Sequence, residues 1–350
     1  MNDITKVLKG KKILFFSVQT FNLEKEIKNT MEENGALVTY YDERPANNNF
    51  TKGIIRLKRD LYQKKIDAYY EKILSEIKNE RFDYLYVNRG EVITEDFLKK
   101  FIELQPQCER IFFTWDSFKN HSHPTSILKY FHKRFTFDYD DALQYDIGFR
   151  PLYFLKKYRK VKTEKNIAPV YDLLFLGTAH SDRYIISNKI ADWCSANGLS
   201  AFCYYYMHGK AVYFYQKIFD KSFKEFDYKK LSFKSLSTDE IVELYKKSKV
   251  ILDINHPGQK GLTMRTFESL GAGKKLITTN QEIKKYPFYN PNNILVIDRE
   301  NFELNREFFE TPYEDIPSDL YERSSIKGWL SEIVCNAETD DWKSLMKQFK

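Results

Sequence analysis

The feature that most constrains this chain is an alternation that runs twice along it. Short apolar segments recur between longer amphipathic ones, the pattern of a parallel sheet with crossover helices. In the first half the strand candidates are Lys12–Val18, Ala36–Tyr41, Asp83–Asn88, Arg110–Trp115 and Arg134–Asp138, and the half closes on Phe149–Phe154. Helical patterns lie between them. Asn22 is placed to cap a helix that ends at Asn34 before Gly35. Ile54–Lys78 reads as one long amphipathic helix, and Thr94 opens another with Glu95 and Asp96 in its first turn, where the helix dipole favours acid. A Lys-rich stretch, Leu155–Pro169, carries no apolar periodicity and reads as a linker. The alternation then restarts with strands at Tyr171–Thr178, Ser200–Tyr206, Lys249–Asn255, Lys275–Asn280 and Ile294–Asp298. Helices are expected over Ser181–Asn197 and, behind the capping box Ser237–Glu240, up to Ser248. The tail from Ser324 to Phe349 looks helical. The expected division is 1–155, a linker 156–169, a second domain 170–330 and a C-terminal helix 331–350.

Composition removes several classes. With 28 Phe, 25 Tyr and 4 Trp the chain is too aromatic for wholesale disorder, and 13 Gly and 10 Pro exclude collagen-like or low-complexity folds. No apolar run reaches spanning length. The opening MNDITKVLKGKKILFFSV has neither a signal-length apolar core nor a cleavage site, so a cytoplasmic protein is expected. Cys108, Cys194, Cys203 and Cys335 are scattered, with no CxxC, and read as reduced thiols. The net charge of +7 is uneven: residues 151–300 carry 25 basic and 15 acidic groups, against 6 and 11 in 301–350. A basic middle block attracts phosphate, or simply solvates helix faces.

The most informative segment is Lys249–Asn280, KVILDINHPGQKGLTMRTFESLGAGKKLITTN. Its order is strand, loop, short helix, Gly turn, strand. In an open α/β sheet ligands gather at the carboxyl ends of strands, where helix N-termini offer free amides to a diphosphate. Arg265 lies in the first turn and can grip phosphate in bidentate fashion. Glu268 follows at i+3 on the same helical face and can accept from two ribose hydroxyls. An ordinary surface Arg/Glu pair is the competing reading of the same residues.

The RTFESLGAG block resembles the donor-site motif of GT-B glycosyltransferases. With FTWDS, FTFD, FRPLYF and LFLGT, the chain is similar over most of its length to bacterial glycosyltransferases of lipopolysaccharide-core and capsular or exopolysaccharide synthesis, and to the CgeB-like group. The resemblance implies an α/β GT-B fold, two Rossmann-like domains with parallel sheets facing across a cleft. It implies transfer of a sugar from a nucleotide-sugar to a saccharide or lipid-linked acceptor, with no cofactor and no metal, because a helix end stabilises the leaving diphosphate. Carried onto this sequence, Glu268 would hold the ribose, Arg265 and the backbone of Leu262, Thr263 and Thr266 the diphosphate, and Gly177 would leave room for it. His180 and Arg183 would reach phosphate or sugar. The second Glu of many retaining members, eight residues before the ribose Glu, is here Lys260, next to Gly261. Either these residues serve the phosphates or the enzyme inverts.

Inversion needs a base for the acceptor hydroxyl. Two loops after strands offer one: Glu91 in VNRGEVIT, slightly favoured, and Asp116 in TWDSFKNHSHP. His121 and His123 lack a third ligand at useful spacing. GAGKK is not a Walker loop, no GxGxxG follows a strand and no GxSxG is present. Tyr204–Lys234 interleaves aromatics with Lys. It fits an anionic inner-membrane surface, a packed helix face or, less well, single-stranded nucleic acid. No nucleic-acid motif supports the last, and no nucleic-acid partner is expected. A non-catalytic protein of the same fold, binding a sugar nucleotide or surface polysaccharide, is the alternative to an enzyme.

Overall fold

The computed structural model describes residues 3–47, 59–164, 168–180, 182–219, 223, 226–335 and 341–348. The chain divides into two compact units, Met1–Leu152 with Ile326–Leu345, and Tyr153–Ser325 with Met346–Lys350.

The first unit is built on strands β1 (Lys12–Ser17), β2 (Leu37–Asp42), β3 (Tyr84–Asn88), β4 (Glu109–Thr114), β5 (Lys133–Thr136) and β6 (Gly148–Phe149). They form one six-stranded sheet in the order β2-β1-β3-β4-β5-β6, every neighbouring pair parallel. Ile13, Leu14, Phe15 and Phe16 are all buried in β1, as expected of a parallel strand covered on both faces. Helix Gln63–Ile77 buries Ile66, Tyr70, Ile73 and Ile77, a stripe at helical spacing. Residues 54–58 of the longer helix expected there lie outside the described residues. Thr94 caps helix Glu95–Leu104, accepting from the Phe97 amide at 3.1 Å. Asn22 occupies the cap position of helix Leu23–Glu33, but its side chain makes no cap bond.

The tail is helical as expected, but broken: helices Ile326–Cys335 and Asp341–Gln348 stand where one C-terminal helix over 331–350 was expected, and Ser318–Arg323 precedes them. The chain re-enters the first unit at Ile326, inside the span 170–330 assigned to the second domain. The cause is the apolar face of Ile326–Cys335. Fully buried Trp329 sets its ring 4.9 Å from Phe113, edge-on, and 6.4 Å from Tyr86. Buried Arg150 pairs with Glu332 at 2.6 Å, and Trp342 donates to the same carboxylate at 2.8 Å.

The second unit contains β7 (Tyr171–Thr178), β8 (Ala201–Tyr206), β9 (Leu231–Ser232), β10 (Ser248–Asp253), β11 (Lys275–Thr278) and β12 (Ile294–Val296). These also make a six-stranded sheet, in the order β12-β11-β10-β7-β8-β9, parallel throughout. The order reverses between β7 and β10, the kind of switch point at whose carboxyl ends ligands bind in open α/β sheets. Part of the expected linker 156–169 is a helix, Lys156–Thr163. Tyr158 and Val161, at i and i+3, turn inward. The basic residues that hid this face pair outward: Arg159 grips Glu322 with two bonds of 2.6 and 2.7 Å, Lys157 meets Asp239 and Lys162 meets Asp315.

Candidate donor site at the end of strand β10

Strand β10 ends on Asp253, buried and with its carboxylate turned toward the following helix. It accepts from the Thr263 hydroxyl at 2.7 Å and the Thr266 hydroxyl at 3.3 Å. Thr263 holds the cap position of helix Met264–Ala272, yet its side chain serves Asp253 and makes no cap bond. The first amides of this helix are therefore left without a side-chain cap, at the positive end of its dipole.

The loop between strand and helix is fixed by a second set of bonds. Asn255 donates to the Gln259 carbonyl at 2.8 Å and accepts from Thr279 at 2.7 Å. Asn280 reaches the Lys260 carbonyl at 3.1 Å. Arg299 clamps the base of the loop, donating to the backbone and side-chain oxygens of Asn255 and pairing with Asp182 at 2.6 Å. Arg183 donates to the Ile254 carbonyl at 2.8 Å. Burial lowers the Arg183 value from its ordinary level. Asp253 offsets this, while Arg265 and Arg299 press it further down. The three guanidiniums thus share one neighbourhood.

Arg265 is the most informative of them. Burial disfavours its charge, but Tyr245, Glu268 and Asp253 more than compensate and hold its value above the ordinary one. Its Nη1 is buried and makes no hydrogen bond among the described residues. A buried guanidinium nitrogen left open is costly unless something else supplies the acceptor. Glu268 is half-buried and accepts from the Tyr245 hydroxyl at 3.2 Å. Tyr158 and Tyr245, both buried, cross edge-on at 5.1 Å and have values raised well above ordinary by burial and by Glu268. His180 lies with its ring 6.2 Å from that of His256. Burial, reinforced by Arg183 and His256, brings His180 down to about 4, so it is neutral at pH 7.

Of the residues singled out in the sequence, His180, Arg183, Arg265 and Glu268 meet in this unit with Leu262, Thr263 and Thr266. Leu262 is buried, so its part is played by backbone. The Lys260 side chain is exposed, and the Gly261 carbonyl accepts from Gln259 at 3.0 Å. At Gly177 the need is different from the one expected. A Cβ there would lie 2.6 Å from the Phe175 ring, so packing on its own strand excludes a side chain. Sequence reasoning missed Asp253, Asn255 and Arg299. Asp253 stood at a strand end and was findable; Arg299 bears no local signal.

In the first unit the two base candidates part. Glu91 is buried, with its carboxylate engaged by Arg44 and, at 3.3 Å, by Arg89. Glu91 is thus sealed between two guanidiniums, which favours Asp116 of the two candidates. Asp116 keeps about a third of its side chain exposed (34%) and meets Arg89 Nε at 2.6 Å. Arg89 takes a left-handed φ of 97° and Gly90 one of 71°. Their loop is held by a residue the sequence did not reveal, Glu43, which accepts from the Gly90 amide at 2.9 Å and the Val92 amide at 3.3 Å. Burial pushes Glu43 up to about 7. The Gly90 amide counters that, Glu91 adds to it, and Val92 and Arg89 oppose it. The His123 ring is within hydrogen-bond reach of the Ile93 carbonyl at 2.8 Å. Among the described residues no group of three or more His, Cys, Asp or Glu could hold a metal ion.

A family model described as glycosyl transferase-like matches residues 205–311, a span that contains β10, its loop and the Arg265–Glu268 helix. No curated protein sequence matches the chain. Among solved structures, the N-terminal domain of a Candida albicans trehalose-6-phosphate phosphatase superposes with a TM-score of 0.58 at 9% identity, covering 97% of each chain. An alpha-glucosyltransferase in complex with UDP and a mismatched DNA gives 0.56 at 12% identity, over 96% of this chain and 100% of that one. Sucrose-phosphate synthase from Thermosynechococcus elongatus gives 0.51 at 8%, over 97% of each. At these identities the likeness is one of fold. The chain has a two-unit α/β fold of the GT-B type, and its second unit carries a glycosyl transferase-like segment around the β10 site.

Proposed function

We propose that the protein is a glycosyltransferase that moves a sugar from a nucleotide-sugar to a saccharide or lipid-linked acceptor, in bacterial cell-surface polysaccharide synthesis. The observation that carries the reading is the buried, open Arg265 Nη1 beside an uncapped helix start at the sheet's switch point. A diphosphate supplies the missing acceptors. In this reading the amides of Met264 and Arg265 and the Arg265 guanidinium hold the diphosphate, and Glu268 takes the ribose hydroxyls. Arg183 and neutral His180 line the phosphates or the sugar. The acceptor oxygen attacks the anomeric carbon, the bond to the distal phosphate oxygen breaks, and the nucleoside diphosphate leaves with its new charge stabilised by the helix end. Asp116 takes the acceptor's proton. The chemistry assigned to these residues calls on neither a cofactor nor a metal.

A thermal-shift panel of UDP, GDP, CMP and dTDP tests the reading. One nucleotide at a hundredfold over its Kd stabilises the fold by about 2.7 kcal/mol. In Glu268→Gln its affinity falls by roughly tenfold or more, the worth of a hydrogen bond to a charged group. A panel without any stabilising nucleotide refutes the donor site. Binding without turnover on any acceptor supports the non-catalytic alternative.

A further inference from the structure

Helix Lys210–Phe219 (KAVYFYQKIF) buries only Tyr213. Phe214, Tyr215, Ile218 and Phe219 are 57, 65, 72 and 70% exposed, with Val212 beside them. These side chains fall at i, i+1, i+4 and i+5, so they make one continuous apolar face. The Tyr215 and Phe219 rings meet at 4.7 Å. Exposed apolar residues scattered singly need no explanation, but a contiguous set marks a contact.

The lysines around this face sort into two kinds. The Tyr228 ring lies 5.1 Å from Tyr213 and 6.3 Å from Phe214, which brings the turn Tyr228–Lys230 alongside the helix. Exposed Lys229 thereby borders the apolar face, and exposed Lys210 stands at its start, whereas Lys230 donates to the Asn188 side chain at 3.0 Å and lies over the Tyr184 ring. Lys217 instead turns inward, donating to the Phe226 carbonyl at 3.1 Å. Lys221 and Lys224 lie outside the described residues. Phe223 and Phe226 are buried, so the aromatic stretch divides between core and surface. Among the described residues of 204–234 the single acid is Asp227, whose carboxylate accepts from the Lys229 amide.

We propose that this face docks on an anionic lipid surface, with Phe214, Tyr215, Ile218 and Phe219 at headgroup depth and Lys210 and Lys229 against lipid phosphates. Large apolar and aromatic side chains rimmed by lysine are what an interfacial helix needs. A second copy of the chain fits less well. A two-fold contact sets the same patch against itself and would bring lysine rim to lysine rim, and lysine is depleted from protein interfaces. The proposal stands apart from the donor site and is tested without nucleotide.

The test is co-sedimentation of the full chain with vesicles of phosphatidylcholine, alone or containing about one third phosphatidylglycerol. Binding is expected to the mixed vesicles and to weaken as salt rises. Phe214→Ser with Ile218→Ser should lower partitioning by at least about tenfold. Lys210→Glu and Lys229→Glu should each lower it by about fivefold, with unchanged thermal midpoints. Sedimentation that ignores phosphatidylglycerol, or is indifferent to both sets of changes, overturns the proposal. So does a dimer in light scattering that Phe214→Ser with Ile218→Ser turns to monomer.

Discussion

Glu43 offers the most quantitative test of how the first unit is held together. It is fully buried, accepts two backbone amides of the loop that carries Arg89 and Glu91, and has a value near 7 against an ordinary 4.5. Between those two values the unfolded chain has lost its proton while the folded chain keeps it. The unfolded state binds fewer protons, so stability falls as pH rises from about 4.5 to about 7 and levels off above. The full difference is worth about 3 kcal/mol. Urea unfolding followed by tryptophan fluorescence reads this unit through Trp115, Trp329 and Trp342. The parent should lose about 3 kcal/mol across that window relative to Glu43→Gln, which cannot ionise. The variant replaces one accepted amide bond by a donor facing a donor, and starts from a level lower by roughly 1–3 kcal/mol at pH 4.5. The two curves should therefore converge as pH rises. Parallel curves would refute the reasoning, because they would mean that Glu43 titrates alike in both states.

Two further outcomes follow from the same geometry. Asp116→Asn should cut turnover by about 10²–10⁴ while leaving nucleotide affinity within about twofold, and near-parental turnover removes Asp116 as the base. Gly271→Ala should destabilise the second unit by about 1–3 kcal/mol in urea unfolding, since its Cβ would lie 2.4 Å from Phe154 Cγ; an unchanged midpoint would show that Phe154 can move aside.

The strands were legible because parallel strands buried on both faces are continuous apolar runs, and each of the ten strand candidates overlaps an observed strand. The short β9 (Leu231–Ser232) had no such run. Helix Lys156–Thr163 escaped notice because two inward residues among five basic ones leave no visible stripe. The return of Ile326–Cys335 to the first unit could not be read at all, since local pattern says that a helix has an apolar face but not which sheet covers it. At the candidate site, what lay on one helix was found: Arg265 and Glu268 share a face by spacing alone. Asp253 and Asn255 lay in the same segment and were passed over; the rest of what was missed arrives from afar in sequence. Arg299 clamps Asn255 across 44 positions, and Arg44 seals Glu91 across 47. Sequence placed Glu91 in a polar loop, and only packing shows that the loop folds over it.

The path of the chain also sets a timetable for its synthesis. The entire sheet of the second unit, from Tyr171 to Val296, has been made before residue 326 emerges. The first unit starts earlier, yet until then it lacks the Trp329 ring that covers Tyr86 and Phe113, and the Glu332 carboxylate that meets Arg150. Domains close as units in the order their parts become available, so the half begun first must wait for a segment made after the other half's whole sheet. A truncation after Ser325 would accordingly strand the far end of the molecule in sequence, leaving a nascent first unit with an open apolar patch and a buried arginine short of its carboxylate. The unit next to the cut would keep its whole sheet.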